Sequence, residues 1–328
     1  MEWLQVSGIS KKQKDQLVVN NVSFSVAQFS KMAIAGETGS GKSSLFKIIS
    51  GLMQPDAGAV YFKNNRAVGP EEKLLPGHPH IAYLSQHFEL RNNYRVEEEL
   101  DYTNHLTDEE AFKIYEVCDI AHLLKRWTNE ISGGEKQRIA LARTLIASPE
   151  LLLLDEPFSN LDMTHKSILK KVIDNISDSL KITFMLITHG PLDSLSWADE
   201  IIVLKNGCIV QKASAKNIYD NPVDTYTASL FGNYQILSAG LISHITGFNY
   251  QENIFVRPEY FFVNETRSNA IPTIVESVRF YGAYTELEVA FEGEVFSVRT
   301  SQNDVSKGDT VFVSVRSSLI DQLHSIGR

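Results

Sequence analysis

The stretch GETGSGKSS, residues 36–44, combines three glycines, a lysine and adjacent hydroxyl side chains. It follows the apolar run Lys31–Ala35, which is typical of a buried parallel strand, and it precedes SSLFKIISGLM, in which the apolar residues have helical spacing. Glycines let backbone N–H groups approach phosphate oxygens, and the N-terminus of a helix adds partial positive charge. A strand, a glycine-rich loop and a helix in this order predict a phosphate-binding loop.

The residues of this loop are expected to contact the phosphates of ATP. Lys42 is expected to reach the terminal phosphates, and the Ser43 hydroxyl is expected to ligate Mg²⁺. A flexible turn is the alternative, but the strand and helix on either side favour the phosphate site. The loop alone leaves kinases, GTPases and other ATPases open. The residues predicted to bind ATP are Gly36, Glu37, Thr38, Gly39, Ser40, Gly41, Lys42, Ser43 and Ser44.

A second chemical cluster lies in the apolar run Leu151–Leu154, which is followed by two carboxylates, Asp155 and Glu156. A central strand would deliver both carboxylates to the sheet edge beside the phosphates. Asp155 is placed to hold Mg²⁺ through water, and Glu156 is the better candidate for polarising the attacking water, because it lies one step past the strand. Alone, the run could be a structural strand with a solvated acidic end. Its combination with Lys42 favours the catalytic interpretation.

A third cluster, Ser132, Gly133 and Gly134, begins the helix predicted from ISGGEKQRIALARTLIASP. Pro149 marks the end of that helix. Serine and glycine at the start of a helix form another anion site. Within one copy, however, the γ-phosphate is already expected to bind the loop that contains Lys42. We therefore expect this second site to act on the ATP of another subunit.

Together these motifs resemble the ATP-binding subunits of ABC transporters. GETGSGKSS corresponds to the Walker A motif of that family, LLLLDEP to Walker B and ISGGEKQ to the ABC signature. Gln86 in LSQHFEL corresponds to the Q-loop, Ser159–Asp162 to the D-loop and His189 in LITHG to the switch histidine. These motifs occur in the family order over roughly the first 230 residues.

The resemblance implies further site residues. Gln86 follows the strand Ile81–Leu84 and would touch Mg²⁺ and the attacking water, while His189 follows the strand Ile182–Ile187 and would hydrogen-bond the γ-phosphate. The alternatives are an ordinary surface glutamine and a structural histidine. The resemblance also implies a head-to-tail dimer, with each ATP between the Walker A motif of one subunit and the signature of the other. Asp162 would line the seam of this dimer, and a role as N-cap of the following helix is equally compatible.

Two positions depart from the family pattern. Gln13 ends the early stretch Ser10–Gln13, in which the family usually places an aromatic residue that stacks on adenine. Because stacking of a base on an aromatic ring is worth about 1–3 kcal/mol in nucleic-acid binders, we expect the adenine to bind more weakly or against another residue. Glu135 stands where glutamine is commoner, and we expect little effect from it.

The segment between the Q-loop and the signature is rich in helix formers, including Val96–Leu100 and Glu109–Val117. By resemblance, residues from about 87 to 131 form a helical subdomain, and the groove beside the Q-loop receives a coupling helix of the membrane subunit. We expect His87–Asn93 to line that groove. The run Glu97–Glu99 is expected to be a solvated helix start.

The last part of the chain changes to short alternating strands, VESVRF, TELEVAF, EVFSVRT and TVFVSV, which predict a small β-barrel. Arg257-Pro258-Glu259, Tyr281-Gly282 and Gly308-Asp309 resemble the TOBE domain, an OB-like barrel of importer ATPases for iron, polyamines, sugars, molybdate and sulfate. The residues after Tyr250 include 11 acidic and 7 basic side chains, so oligonucleotide binding is not expected. Dimer contacts or regulation by a small ligand are expected instead, with oxyanion binding as the minority alternative.

The expected fold is an α/β P-loop NTPase with a helical subdomain in residues 1–232, followed by a small all-β, OB-like domain in residues 233–328. A formal net charge of -9 argues against a nucleic-acid partner, because a phosphate backbone requires a basic face. Cys118 and Cys208 form no CxxC pair, which disfavours a disulfide framework or a zinc site and favours a reducing cytosol. Gly232–Gln251 lacks charged residues but is broken by polar ones, and we do not expect it to span a membrane.

By this resemblance the chain is predicted to be the ATP-hydrolysing subunit of a bacterial ABC importer, peripheral at the cytoplasmic face of the inner membrane. The expected partners are a second ATPase subunit, most simply a second copy, an integral permease and, indirectly, an extracytoplasmic solute-binding protein. Two alternatives stay open: a soluble ABC ATPase acting on nucleic acid or ribosomes, and an exporter ATPase. The binding protein and the permease select the solute in importers, so these residues do not specify it.

Overall fold

A computed structural model describes residues 3–86, 90–159, 161–264, 270–302, 304–317 and 319–320 of the chain. The chain divides into two compact units, Met1–Phe231 and Gly232–Arg328. Each unit buries its own clusters of apolar side chains, so each has a separate core.

The first unit is built on two β-sheets and the helices around them. Its strands, in chain order, are β1 Leu4–Gln13, β2 Gln16–Val26, β3 Lys31–Ala35, β4 Ala57–Phe62, β5 Asn65–Ala67, β6 Ile81–Leu84, β7 Leu151–Asp155, β8 Thr183–Ile187, β9 Glu200–Lys205 and β10 Cys208–Ser214. Its α-helices are α1 Lys42–Ile49, α2 Val96–Asp101, α3 Asp108–Val117, α4 Gly133–Leu145, α5 Met163–Leu180, α6 Pro191–Leu195, α7 Ala215–Asp220 and α8 Thr225–Leu230.

The larger sheet carries the site, and its strand order is β10-β9-β3-β8-β7-β6. All neighbours are parallel except β9 and β10, which pair antiparallel across a turn at Asn206-Gly207. Strands β7 and β8 are buried along their whole length, which explains their continuous apolar sequences. In the parallel register Asp155 lies beside Ile187, and Ile187 lies beside Ile34. The loops after β3, β7 and β8 therefore leave the same edge of the sheet.

The smaller sheet is antiparallel, with strand order β2-β1-β4-β5. Helix α1 packs between the two sheets, because Leu45, Phe46 and Ile49 share one apolar cluster with residues of both. The register between β1 and β2 shifts at three places, so the alternation of buried and exposed residues is interrupted along β1. The smaller sheet therefore holds α1, the helix that follows the phosphate loop, against the larger sheet.

The helical subdomain consists of α2, α3, a 3₁₀ helix at Ala121–Leu123 and the first turns of α4. The helices predicted at Val96–Leu100 and Glu109–Val117 are present as α2 and α3. The prediction that Glu97–Glu99 is a solvated helix start is wrong for Glu99. This side chain is only 1% exposed, because α2 turns it towards α4.

The second unit contains two small antiparallel sheets. Its strands are β11 Gln235–Leu237, β12 Ile254–Val256, β13 Phe261–Asn264, β14 Ile271–Phe280, β15 Thr285–Phe291, β16 Glu294–Thr300 and β17 Thr310–Val315. Strands β11 and β12 form a pair, and the other five form a curled sheet of order β13-β17-β14-β15-β16. The four predicted barrel strands are present as β14 to β17. The unit also contains helix α9, Ala239–Thr246, and a 3₁₀ helix at Pro258–Tyr260, which the strand pattern did not predict.

The segment Gly232–Gln251 contains β11 and the short helix α9. Within the part of the chain that the structure describes, none of the helices has both the length and the apolar composition needed to cross a membrane.

Candidate nucleotide-binding site

The phosphate loop is a tight turn between β3 and α1 that only glycine can build. Gly36 has a φ of 154° and Gly41 a φ of 101°. A Cβ on Gly36 would lie 2.2 Å from the Leu204 carbonyl oxygen, and a Cβ on Gly41 would lie 2.1 Å from that of Val18. Gly41 is also the N-cap of α1 and makes no side-chain capping bond, so the first N–H groups of the helix keep their capacity for an anion.

Lys42 is folded back onto this loop. Its Nζ donates to the carbonyl oxygens of Gly36 and Glu37 at 2.7 Å and contacts Ser40 Oγ at 3.4 Å. Burial lowers the pKa of Lys42, and the nearby carboxylates of Glu156, Asp155 and Glu37 partly oppose this effect. The ammonium group thus sits where it can exchange two carbonyl contacts for the oxygens of a phosphate.

Asp155 is the last residue of β7, and it is buried, with only 4% of its surface exposed. Its Oδ2 accepts a hydrogen bond from the Tyr83 hydroxyl at 2.8 Å, whereas the buried Oδ1 has no hydrogen-bond partner among the described residues. A buried carboxylate oxygen without a donor fits a ligand for a hard cation such as Mg²⁺. No group of three or more His, Cys, Asp or Glu side chains in the described ranges could hold a metal ion by itself.

Glu156 and His189 meet beside this carboxylate. His189 Nε2 lies 2.6 Å from Glu156 Oε1, and the Glu156 N–H donates to the Ile187 carbonyl at 2.9 Å. Glu156 has a φ of 52°, which is uncommon and costly for a residue other than glycine. The turn after β7 therefore holds the Glu156 side chain against the loop after β8. Gln86, the third predicted catalytic residue, lies half-buried two residues past the end of β6 at the same sheet edge.

The signature residues begin α4. Ser132 is the N-cap: its Oγ accepts from the Glu135 N–H, and its own N–H donates to the Glu135 carboxylate at 2.7 Å. Gly133 faces open space, whereas a Cβ on Gly134 would lie 2.7 Å from Cδ2 of His165. Glu135 is thus a capping-box residue. Burial raises the pKa of Glu135, but the hydrogen bonds from Ser132 and the charges of Arg126 and Arg138 together outweigh burial, so the pKa lies below its usual value.

Asp162 is the N-cap of α5, as one of the two sequence hypotheses stated. Its Oδ1 accepts from the N–H groups of Thr164 at 3.0 Å and His165 at 2.9 Å, and its Oδ2 lies 2.7 Å from His165 Nδ1. His165 therefore connects the D-loop carboxylate to Gly134 of the signature in the same chain. The neighbouring Asn160 and the groove residues His87–Glu89 lie outside the described residues.

Comparison with known proteins assigns both units. Residues 19–159 match the family model of the ABC transporter, and residues 254–319 match that of the TOBE domain. The Fe(3+) ions import ATP-binding protein FbpC of Yersinia pseudotuberculosis is 31% identical over 96% of this chain and 97% of its own length. The chain belongs to the ABC transporter ATP-binding family.

Two further proteins extend this comparison of the ABC ATPase. The glucose import ATP-binding protein GlcV of Saccharolobus solfataricus is 35% identical over 69% of this chain and 66% of its own length. A solved ATP-binding cassette of an ABC transporter in its ADP conformation is 26% identical, covers 70% of this chain and 98% of that structure, and has a TM-score of 0.58. The predicted family, the P-loop ATPase fold and the C-terminal TOBE domain are confirmed. The prediction of an importer ATPase is favoured over the nucleic-acid and exporter alternatives, because these relatives are import proteins.

Sequence reasoning missed two tyrosines that touch the site of this ABC ATPase. Tyr83 donates to Asp155 from β6, and the pKa of Tyr83 is raised by burial and by the Asp155 charge. The Tyr226 hydroxyl accepts from the Glu37 N–H at 3.0 Å and donates to the Leu204 carbonyl at 2.9 Å. Only for Tyr83 was there a sequence signal, a hydroxyl side chain within the predicted strand Ile81–Leu84.

A third missed residue is Asp193, which is buried in the short helix α6 that follows the loop after β8. It pairs with Lys166 at 2.7 Å and Lys170 at 2.8 Å, and it accepts from the Thr188 hydroxyl at 3.3 Å. The two lysines lie on α5, which Asp162 caps. Asp193 thus fastens the D-loop helix to the loop that carries His189.

Gln13, expected near the adenine, lies against the first turn of α1. Its Nε2 is 3.4 Å from Ser44 Oγ and 3.6 Å from Met53 Sδ. An amide therefore occupies the side of the phosphate loop where the family resemblance led us to expect an aromatic ring.

Proposed function

We propose that two copies of this ABC importer ATPase bind two ATP molecules between them, each held by the loop Gly36–Ser44 of one copy and by Ser132, Gly133 and Gly134 of the other. The open space at Gly133 supports this arrangement, because the described residues of a single copy leave room for a side chain at this position. The Asp162 side chain is exposed at the N-terminus of α5, and we assign it to the seam between the two copies.

The observation that carries the catalytic proposal is the contact of 2.6 Å between Glu156 and His189 beside Lys42 and Asp155. A carboxylate paired with an imidazole at a phosphate site can accept a proton from an attacking water and orient that water for in-line attack. We assign Glu156 to polarise the water and His189 to contact the γ-phosphate. Lys42 would stabilise the charge that develops on the terminal phosphate oxygens.

Mg²⁺ is proposed to be held by Asp155, the Ser43 hydroxyl and Gln86. When bound, this ion would neutralise charge on the β- and γ-phosphate oxygens. The orphaned Oδ1 of Asp155 supports the assignment, since a ligand would satisfy an acceptor that is otherwise buried without a donor. Tyr83 would hold the other oxygen of the carboxylate in place.

A membrane permease is the partner of an importer ATPase, and closure and reopening of the ATPase dimer would drive it. We place the chain at the cytoplasmic face of the membrane as a peripheral subunit, with an extracytoplasmic solute-binding protein as an indirect partner. The TOBE unit is assigned to dimer contacts or to regulation by a small ligand.

The test is to purify the chain with its permease and to measure ATP turnover with and without solute-loaded binding protein. Solute-dependent turnover is expected, and Glu156→Gln should lower turnover by about 100-fold or more, the lower range for general base catalysis. Glu109→Gln is the matched control, because Glu109 is an exposed carboxylate on α3. Normal turnover of Glu156→Gln would refute its role, and salt-sensitive binding of DNA or RNA would support the nucleic-acid alternative instead.

A further inference from the structure

Glu99 is a carboxylate buried in the helical subdomain between two arginines. Its Oε2 lies 2.7 Å from Nε of Arg91, and its Oε1 lies 2.5 Å from Nη1 of Arg143. The glutamate side chain is 1% exposed, whereas those of Arg91 and Arg143 are 37% and 29% exposed. A charged group this deeply buried needs such partners, and each oxygen has its own arginine.

The two arginines lie on the segments that follow the Q-loop and the signature. Arg91 lies five residues beyond Gln86 of the Q-loop, and Arg143 lies on α4, the helix that begins at Gly133 of the signature. Because Glu99 belongs to α2, its single carboxylate links three separate segments. On the Arg91 side, the guanidinium carbon also lies 4.4 Å from the centroid of the Tyr94 ring and 4.3 Å from that of the Tyr102 ring.

Three further hydrogen bonds join the segment after the Q-loop to the segment before the signature. The Thr128 N–H donates to the Tyr94 carbonyl at 2.9 Å, and the Thr128 hydroxyl donates to the Arg91 carbonyl at 2.7 Å. The Val96 N–H donates to the Arg126 carbonyl at 3.0 Å. Thr128 is buried and lies only four residues before Ser132, so displacement of the segment after the Q-loop must displace the segment before the signature.

We propose that Glu99 is a positioning residue that, through Arg91 and Arg143, fixes the signature relative to the Q-loop. This inference rests on the proposed dimer, in which Ser132 and Gly133 meet the nucleotide of the other copy. Without the carboxylate, α4 would adopt several orientations relative to the Q-loop segment. Only a fraction of the copies would then present the signature correctly, and the apparent affinity for the ATP-bound partner would fall by that fraction.

The experiment uses the full chain with Glu156→Gln, in which slow turnover of bound ATP is expected, so that dimer formation can be followed by light scattering as ATP is added. Glu99→Gln is added to this background. An amide can accept from one arginine, but its NH₂ group meets the N–H groups of the other. We expect the ATP concentration at half-maximal dimer formation to rise at least about tenfold, while ATP bound per chain below the dimerisation range stays unchanged.

Two further variants separate positioning from general destabilisation. Arg91→Lys keeps a cation beside Glu99 but loses the planar guanidinium that stacks on Tyr94 and Tyr102. It should weaken dimer formation in the same direction, with a smaller fall in unfolding temperature than Glu99→Gln causes, because the buried carboxylate keeps a charged partner. Glu109→Gln, which removes the exposed ion pair with Lys113 on α3, is the control and should change neither quantity.

The outcomes distinguish the inference from the proposed function. If the Glu156→Gln chain does not dimerise with ATP, the proposed function is wrong and the role of Glu99 is wrong with it. If that chain dimerises and Glu99→Gln and Arg91→Lys leave the ATP dependence unchanged, the role of Glu99 alone is overturned. A loss of ATP binding by the isolated chain would also contradict it, because the inference leaves the Lys42 loop intact.

Discussion

Gly133→Ala tests whether the signature serves the nucleotide of a partner or the fold of its own chain. Gly133 is the first residue of α4, its φ lies outside the left-handed region, and a Cβ built on it meets nothing within 4 Å in the described residues. Alanine is favoured over glycine in a helix by about 0.5–1 kcal/mol. The folded single chain should therefore tolerate the methyl group or gain from it.

The two effects of Gly133→Ala have opposite signs. A gain of up to about 1 kcal/mol would raise the unfolding temperature of a domain of this size by up to about 2–4 °C. In the proposed dimer, however, the methyl group would occupy the space in which the γ-phosphate of the ATP bound to the other copy lies. Overpacking by one methyl costs about 1–3 kcal/mol, which lowers kcat/KM roughly five- to 150-fold.

The assay combines thermal unfolding of the nucleotide-free chain with steady-state ATP turnover. Gly134→Ala is the comparison, because its Cβ would lie 2.7 Å from His165 within the same chain and should also lower the unfolding temperature. Full turnover by Gly133→Ala would show that nothing approaches this position, and the assignment of the signature to a partner's ATP would then be wrong.

Three other side chains give independent tests. Tyr83→Phe removes the donor to Asp155 and should lower the free energy of unfolding by about 1–3 kcal/mol in urea titrations; an unchanged midpoint would mean that the carboxylate does not need this hydroxyl. Tyr226→Phe removes the hydroxyl that accepts from the Glu37 N–H, and it should raise KM for ATP by roughly five-fold, equivalent to about 1 kcal/mol, with kcat retained. An unchanged KM would show that this hydroxyl does not contribute to ATP binding. Burial raises the pKa of Cys118, so a thiol reagent at neutral pH should modify one cysteine quickly in the native chain and both in urea; two fast thiols in the native chain would contradict the buried position.

The central strands and the phosphate loop could be predicted because local sequence decides them. A strand that is buried on both faces has a continuous apolar sequence, as in Leu151–Leu154 of β7. The loop after Ala35 needs glycine at Gly36 and Gly41 because backbone carbonyls leave no room for a side chain. The parallel arrangement then brings Asp155 and His189 to one edge of the sheet.

The features that sequence reasoning missed depend on partners far apart in the chain. Glu99 lies in an acidic run that is typical of a solvated helix start, and its burial follows only from Arg143, which is 44 residues away. Tyr226 meets Glu37 across 189 residues, and no local pattern marks that contact. Strand β1 was missed because its register shifts interrupt the alternation that identifies a half-buried strand.

The most direct test of the shared site is the mass of the Glu156→Gln chain in light scattering at saturating ATP. We predict twice the mass of one chain with ATP and Mg²⁺, and the mass of one chain without nucleotide. Ser132→Arg in the same background should bind as much ATP per chain and yet remain a single chain. A Ser132→Arg chain that pairs as readily, or a wild-type chain that hydrolyses ATP at full rate as a single copy, would contradict the proposal that each site is completed by a second copy.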